Sequence, residues 1–243
     1  MTDDVAWTRR EPACLVREGL LSAVFRPLIG LYGRRRVKGH EHLRGLEQPV
    51  VFVANHCSHV DTPLILRALP WAWRRRTAVA AAADYFYKKP VLAQAVSLAF
   101  NTAPVERTGP AVPESVSVLD RLLDERWSLI VFAEGTRSRD GNVGRLHSGA
   151  AVLAAQHDVP IVPVYVAGTH ATMPVGSRWM SRGPDGRRRQ LLVAFGPAIR
   201  AAHEDRRDVM EGVRMFFESE GATTTPDKNA ARRRQATAAA VRA

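Results

Sequence analysis

Val50-Val51-Phe52-Val53-Ala54-Asn55-His56-Cys57-Ser58-His59-Val60-Asp61-Thr62-Pro63 decides the fold class. The β-branched run reads as a strand and a short polar loop follows it. Thr62-Pro63 then has the chemistry of a helix start, with Thr62 as N-cap and Pro63 at the first helical position. A second stretch repeats the grammar: Leu129-Ile130-Val131-Phe132 is a strand, and Ala133-Glu134-Gly135-Thr136-Arg137-Ser138 is a glycine-backed turn carrying an arginine. Both polar segments therefore belong to βα loops, where open α/β sheets build their sites. A base and its carboxylate in one loop, with an anion clamp in the other, point to acyl or phosphoryl transfer.

Working outward, further strands are expected near 36–38, 77–82, 104–106, 161–166 and 191–195, and helices over 63–69, 90–98, 113–126, 148–156 and 204–218. The 113–126 helix is the most periodic, since Val116, Leu119, Leu122 and Leu123 share one face. Strands alternating with helices give an α/β architecture: a mixed, mainly parallel sheet covered by helices, with an N-terminal amphipathic helix. Three parts follow along the chain: an N-terminal membrane-surface segment (1–36), a catalytic domain (37–220) and a basic tail (221–243). The tail has almost no large apolar residue to offset its ordering entropy, and disorder is expected there.

With 243 residues, 46% hydrophobic and 24% charged, the chain can bury a full core and is not wholesale disordered. A net charge of +11 calls for an anionic partner: a phospholipid surface, nucleic acid or a phosphorylated substrate. Nucleic acid is excluded, because the basic residues are scattered or in loops with no aromatic-rich binding motif. Cys14 and Cys57 have no metal-type spacing, which fits a reduced cytosolic compartment and makes Cys57 a small packed thiol. No secretory signal is visible behind Thr2-Asp3-Asp4.

The segment from Pro12 to Tyr32 carries Arg17, Glu18, Arg26 and Pro27. Each charge would cost about 2.5–3.5 kcal/mol at a bilayer centre, so the segment does not span. Val16, Leu20, Val24 and Leu28 recur at i+4, flanked by Leu21, Phe25 and Ile29, with Arg17, Glu18, Ser22 and Arg26 on another side. This amphipathic helix either lies on an anionic membrane surface or packs on the domain's own core. The first option makes the protein peripheral, at the cytoplasmic face of a membrane. Trp71-Ala72-Trp73-Arg74-Arg75-Arg76 suits a headgroup boundary, or else a solvated loop with one buried Trp. Arg178 to Arg189 reads as a basic loop with a Pro-Asp-Gly turn.

His56 and Asp61 are the candidate catalytic pair. A turn of chain brings the Asp61 carboxylate back to one imidazole nitrogen, fixing the tautomer and leaving the other nitrogen as general base. Gly135 lets backbone amides approach an anion, Arg137 can bind phosphate bidentately, and Thr136 and Ser138 add hydroxyl donors; taken alone, the segment reads instead as a tight turn with Arg137 salt-bridged to Glu134. A rival reading takes His56, His59 and Asp61 as ligands of a metal-dependent hydrolase. Zinc needs three or four protein ligands, and His147, His157 and His170 stand in no recognisable ligand motif.

The two motifs together resemble those of the glycerolipid acyltransferase family, over roughly Val37 to Phe195. His56 and Asp61 match its NHxxxxD motif, and Phe132 to Ser138 match FPEGTRS with Ala133 in place of proline. Val105-Glu106-Arg107 looks like the basic block between them, with Asn101 where a glycine is expected. Val159-Pro160-Ile161-Val162-Pro163-Val164 matches the last block, expected as a strand lining the site. The resemblance implies transfer of a fatty acyl group from acyl-CoA or acyl-carrier protein to a lysophospholipid hydroxyl. 1-Acylglycerol-3-phosphate, giving phosphatidic acid, is the favoured acceptor; another lysolipid or a glycolipid is the alternative. It also implies substrate contacts from Arg107, Glu134, Gly135, Thr136 and Arg137, and no cofactor or metal beyond the thioester co-substrate.

Overall fold

The structure, a computed structural model, describes residues 5–82, 90–105, 113–202 and 204–224. Its strands are β1 (Gly33–Lys38), β2 (Val51–Ala54), β3 (Thr77–Ala82), β4 (Thr102–Val105), β5 (Ser128–Phe132), β6 (Ile161–Ala167) and β7 (Arg189–Phe195). They form one sheet in the order β1-β7-β6-β2-β5-β3-β4. Every pairing is parallel except that of β6 with β7, so β1 and β7 run against the other five strands. This is the expected mixed, mainly parallel sheet.

Side chains alternate across β2: Val51 and Val53 enter one hydrophobic cluster, Phe52 and Ala54 the other. A strand buried on both faces has no position for a polar residue, which explains its unbroken apolar run. The N-terminal helix comprises α1 (Glu11–Gly19), a π-helical segment (Leu20–Phe25) and α2 (Arg26–Tyr32). It covers one face with α3 (Asp61–Ala68), α4 (Trp71–Arg75) and, beside them, α5 (Pro90–Phe100). The other face carries α6 (Pro113–Asp124), α7 (Gly149–Gln156) and, after the short α8 (Thr169–Thr172), α9 (Arg206–Ser219).

The N-terminal helix packs on the domain's own core, the second of its two expected placements. Ala13, Cys14, Leu21 and Ile29 are buried, whereas Leu15, Val16, Val24 and Leu31 are exposed. One side therefore packs on the domain and another presents apolar side chains outward. Pro27 lacks an N–H, and the wide π-turn just before it absorbs the change of register. Arg17 corrects the helical wheel, which put it on the polar side. It is only 2% exposed, its Nε donates to the Leu98 carbonyl at 3.0 Å, and its Nη2 donates to the Thr8 carbonyl. Carbonyls distant in sequence satisfy the guanidinium, so a charge lies on the packed face. No helix among the described residues is long and apolar enough to cross a membrane.

Several element boundaries move. β1 starts at Gly33, directly after the helix, because pairing with β7 extends the strand expected near 36–38 back through Arg35, Arg34 and Gly33. α3 starts at Asp61 behind Val60 as N-cap, so Thr62 and Pro63 lie inside its first turn. β4, expected over 104–106, begins at Thr102 and runs to Val105, and Glu106 lies outside the described residues. Trp71–Arg75 is a short helix with Trp73 and Arg74 buried. There Arg74 donates to both Glu18 carboxylate oxygens (2.8 and 2.6 Å), tying α4 to the N-terminal helix. At the expected tail, Ala222 packs against the core and the Thr223 carbonyl accepts from the Val143 amide at 2.8 Å. Residues 225–243 lie outside the described residues.

Candidate active site

The His56 loop leaves the C-terminal end of β2, and the Glu134 loop leaves the same end of the adjacent strand β5. Parallel pairing with Ala54 opposite Phe132 sets the two loops side by side. His56 Nδ1 lies 2.8 Å from Asp61 Oδ2, and that fully buried oxygen also accepts from the amides of Cys57 (2.7 Å) and Ser58 (2.8 Å). A carboxylate is an acceptor, so Nδ1 carries the proton and Nε2 keeps its lone pair. The ring stacks on Phe132 at 3.9 Å between centroids, which fixes its plane.

The backbone of His56 is pinned as firmly as its ring. Its amide donates to Glu134 Oε1 (2.8 Å) and its carbonyl accepts from the Ser138 amide (2.7 Å). Glu134 Oε2 accepts from the Gly144 amide at 2.8 Å. Glu134 was expected on the substrate. Both its oxygens are instead occupied by backbone amides, so this carboxylate braces the two loops against each other. Burial pushes its pKa up, and the amide bonds from His56 and Gly144 pull the other way. Asn55 braces from the other side. Its side chain donates to the Val166 carbonyl (2.9 Å) and accepts from the Val166 amide (2.7 Å), so it pairs with β6 as a strand residue would.

A pocket of about 270 Å³ opens beside the imidazole. Its polar rim is His56, His59, Thr62, Gly135, Thr136 and Arg137; its wall is Val79 to Ala82, Val96, Phe100, Val105 and Val131. Five of the seven expected site residues thus belong to one site, as pocket lining or as the Asp61 carboxylate behind it. Glu134 braces it from behind, and Arg107 lies outside the described residues. β6 was expected to line the site, but it flanks β2 on the side away from β5 and contributes nothing to the lining. Sequence reasoning missed the apolar wall from β3 and α5. Its signal was the small-residue run Ala80-Ala81-Ala82, which leaves room in front of the strand.

The remaining titratable groups narrow the chemistry. Burial, with Asp61 nearby, raises the Cys57 thiol to about 12, and its Sγ packs 3.1 Å from Thr169 Oγ1. It stays a thiol and is no nucleophile. Partial desolvation at the pocket rim, with the Arg137 charge nearby, lowers His59 to about 4. Among the described residues no group of three or more His, Cys, Asp or Glu side chains converges to hold a metal ion. Asp61 Oδ2, the oxygen on His56, is already engaged by three donors.

Both departures from the motifs have local explanations. Asn101, at the expected glycine, ends α5 with φ of 54°, a left-handed conformation that asparagine tolerates. Its side chain donates to the Thr77 carbonyl (3.0 Å) and accepts from Thr8 Oγ1 (3.2 Å), tying α5 to β3 and the N-terminus. Ala133, at the expected proline, uses its N–H to bond the Ala54 carbonyl at 3.1 Å.

The profile of the family described as Acyltransferase matches residues 34–167. The chain is 32% identical to the 1-acyl-sn-glycerol-3-phosphate acyltransferase BAT2 of Brassica napus over 145 residues, 58% of this chain and 39% of that protein. It is 31% identical to the human 1-acyl-sn-glycerol-3-phosphate acyltransferase alpha over 150 residues, 56% of this chain and 47% of that one. The chain therefore spans less than half the length of either relative. In three dimensions it resembles the 1-acyl-sn-glycerophosphate acyltransferase PlsC from Thermotoga maritima. The TM-score is 0.65 at 23% identity, over 88% of this chain and 81% of that one, a likeness of fold.

Proposed function

The chain belongs to the acyltransferase family, and we propose that it moves a fatty acyl group from acyl-CoA or acyl-carrier protein to a lysophospholipid hydroxyl. The acceptor is 1-acylglycerol-3-phosphate and the product phosphatidic acid, in keeping with the activity named for its relatives. The observation that carries this reading is the His56–Asp61 contact at 2.8 Å, on the rim of a pocket shared with Arg137.

His56 Nε2 removes the proton of the acceptor hydroxyl as that oxygen attacks the thioester carbonyl. Asp61 holds Nδ1–H throughout and stabilises the imidazolium that forms. The tetrahedral intermediate collapses by expelling the thiolate, which takes the proton back from Nε2. A thiolate leaves readily, so no covalent enzyme intermediate is needed, consistent with an un-ionised Cys57. The apolar wall suits a fatty acyl chain. Arg137 and Thr136 at the rim suit the acceptor phosphate, with Arg107 as a further phosphate ligand. No cofactor beyond the thioester enters this scheme, and the outward apolar side of the N-terminal helix gives the protein its hold on a lipid surface.

The test is purified protein with a thioester donor and a panel of lyso-acceptors, read by product mass. Phosphatidic acid formed from 1-acylglycerol-3-phosphate supports the reading. Thioester hydrolysis with no acylated acceptor overturns it.

A further inference from the structure

The end of the sheet that holds the pocket carries a second surface. Because β1 and β7 run against the other strands, their first residues, Gly33 and Arg189, stand at the same end as the His56 and Glu134 loops. The segments leading into them are the C-terminus of α2 and the basic loop 178–188. In that loop Arg178, Arg182, Arg187 and Arg188 are exposed and Asp185 is the single acid. Arg34, at the start of β1, is exposed beside them.

This loop is moored rather than loose. Trp179 Nε1 donates to the Tyr32 hydroxyl at 2.8 Å, Arg182 Nε to the Leu31 carbonyl at 3.0 Å, and Arg188 Nη1 to the Gly30 carbonyl at 3.3 Å. The two arginines satisfy carbonyls at the helix C-terminus, the end whose dipole favours cations. Around them Trp179 and Leu31 are 61% and 51% exposed. At a strand spacing near 4.8 Å, β7 and β1 stand about 10 and 14 Å from the strand that carries His56. The other aromatic–cationic run lies at the opposite end, where β3 begins. There Arg74 and Arg75 are paired with Glu18 and Glu11, and Arg76 lies over Trp127.

We propose that the 178–188 loop, Arg34 and the end of α2 form an electrostatic dock for an anionic bilayer, so that the molecule meets the membrane end-on with its pocket toward the headgroups. This deepens the reading of the protein as a lysophospholipid acyltransferase by naming the surface that presents its site to lipid. Charge alone would also suit an acidic protein. An exposed indole and leucine set among the arginines, continuous with the outward Val24 side of the helix, favour lipid, since indole rings sit at the headgroup boundary.

The test uses the full chain and vesicles of phosphatidylcholine with or without phosphatidylglycerol. The variant Arg34→Gln/Arg178→Gln/Arg187→Gln leaves both arginine contacts to the helix end intact. It should partition on to anionic vesicles roughly 10²-fold less well at low salt, about fivefold per arginine, and unchanged on neutral ones. Quenching of tryptophan fluorescence by headgroup-proximal brominated lipid should fall in Trp179→Phe and persist in Trp71→Phe. The proposal is overturned by wild-type-like vesicle binding of the triple variant, or by quenching lost in Trp71→Phe instead. It is equally overturned if the triple variant loses affinity only for acyl-carrier protein, which would assign the surface to a protein. Sedimentation needs no turnover. A chain that docks without transferring acyl groups therefore removes the activity and keeps the dock, and transfer without docking does the reverse.

Discussion

Replacing Asp61 by Asn isolates one property of the catalytic pair. In a dyad whose carboxylate is free to rotate, the amide could present its NH₂ to the imidazole and invert the tautomer. Here the amides of Cys57 and Ser58, 2.7 and 2.8 Å from the same oxygen that faces His56, hold an acceptor in that position. Asparagine is therefore kept with its carbonyl toward Nδ1, the tautomer survives, and only the charge is lost. A unit charge about 4 Å from the forming imidazolium contributes up to about 4 kcal/mol at an effective dielectric constant near 20. The expected fall in kcat is roughly 10²–10³-fold, with little change in the acceptor KM. Asp61→Ala differs, because it strands two buried amide donors at about 1–3 kcal/mol each and should lower the melting temperature as well. The assay is continuous detection of released thiol, with a thermal melt on each variant. Turnover of the folded Asn variant within tenfold of wild type would refute the role given to this charge.

Four further outcomes are expected. His56→Ala should lose about 10²–10⁴-fold in kcat with the fold intact, whereas His59→Ala and prolonged chelation should be far milder; chelation that kills activity, with rescue by zinc, would restore the metal reading. Arg137→Ala should raise the KM for the phosphorylated acceptor by about 10–10²-fold, the value of a charge-assisted contact, and an effect confined to the thioester donor would reassign it. Asn101→Gly should melt above Asn101→Ala, since alanine adds left-handed strain of about 1–2 kcal/mol to the same lost side-chain bonds; the reverse order would contradict the φ of 54°. Cys57 should resist thiol alkylation under native conditions. Because its folded pKa lies above the ordinary 9.0, the unfolded thiol ionises first, and stability should fall as pH rises from there toward about 12.

β2 and residues 129–132 of β5 were legible because a strand covered on both faces runs apolar, and because the polar loop after it sits at the carboxyl end of the sheet. The same locality made His56 and Asp61 legible: five residues of chain are enough to bring their side chains to 2.8 Å. What depended on distant partners was not. Arg17 reads as solvent-facing until Leu98 and Thr8 supply carbonyls for it, and Glu134 reads as a substrate ligand until the amides of His56 and Gly144 occupy it. The first three residues of β1, Gly33, Arg34 and Arg35, become strand only by pairing with a segment more than a hundred residues away. The direction of β1 and β7, which brings the basic loop to the same end as the catalytic pair, is likewise a property of the assembled sheet. Local pattern determines which residues are apolar and which side chains can meet across a turn. Desolvation of a charge and the pairing of a sheet edge depend on segments remote in sequence, and only the tertiary structure decides them.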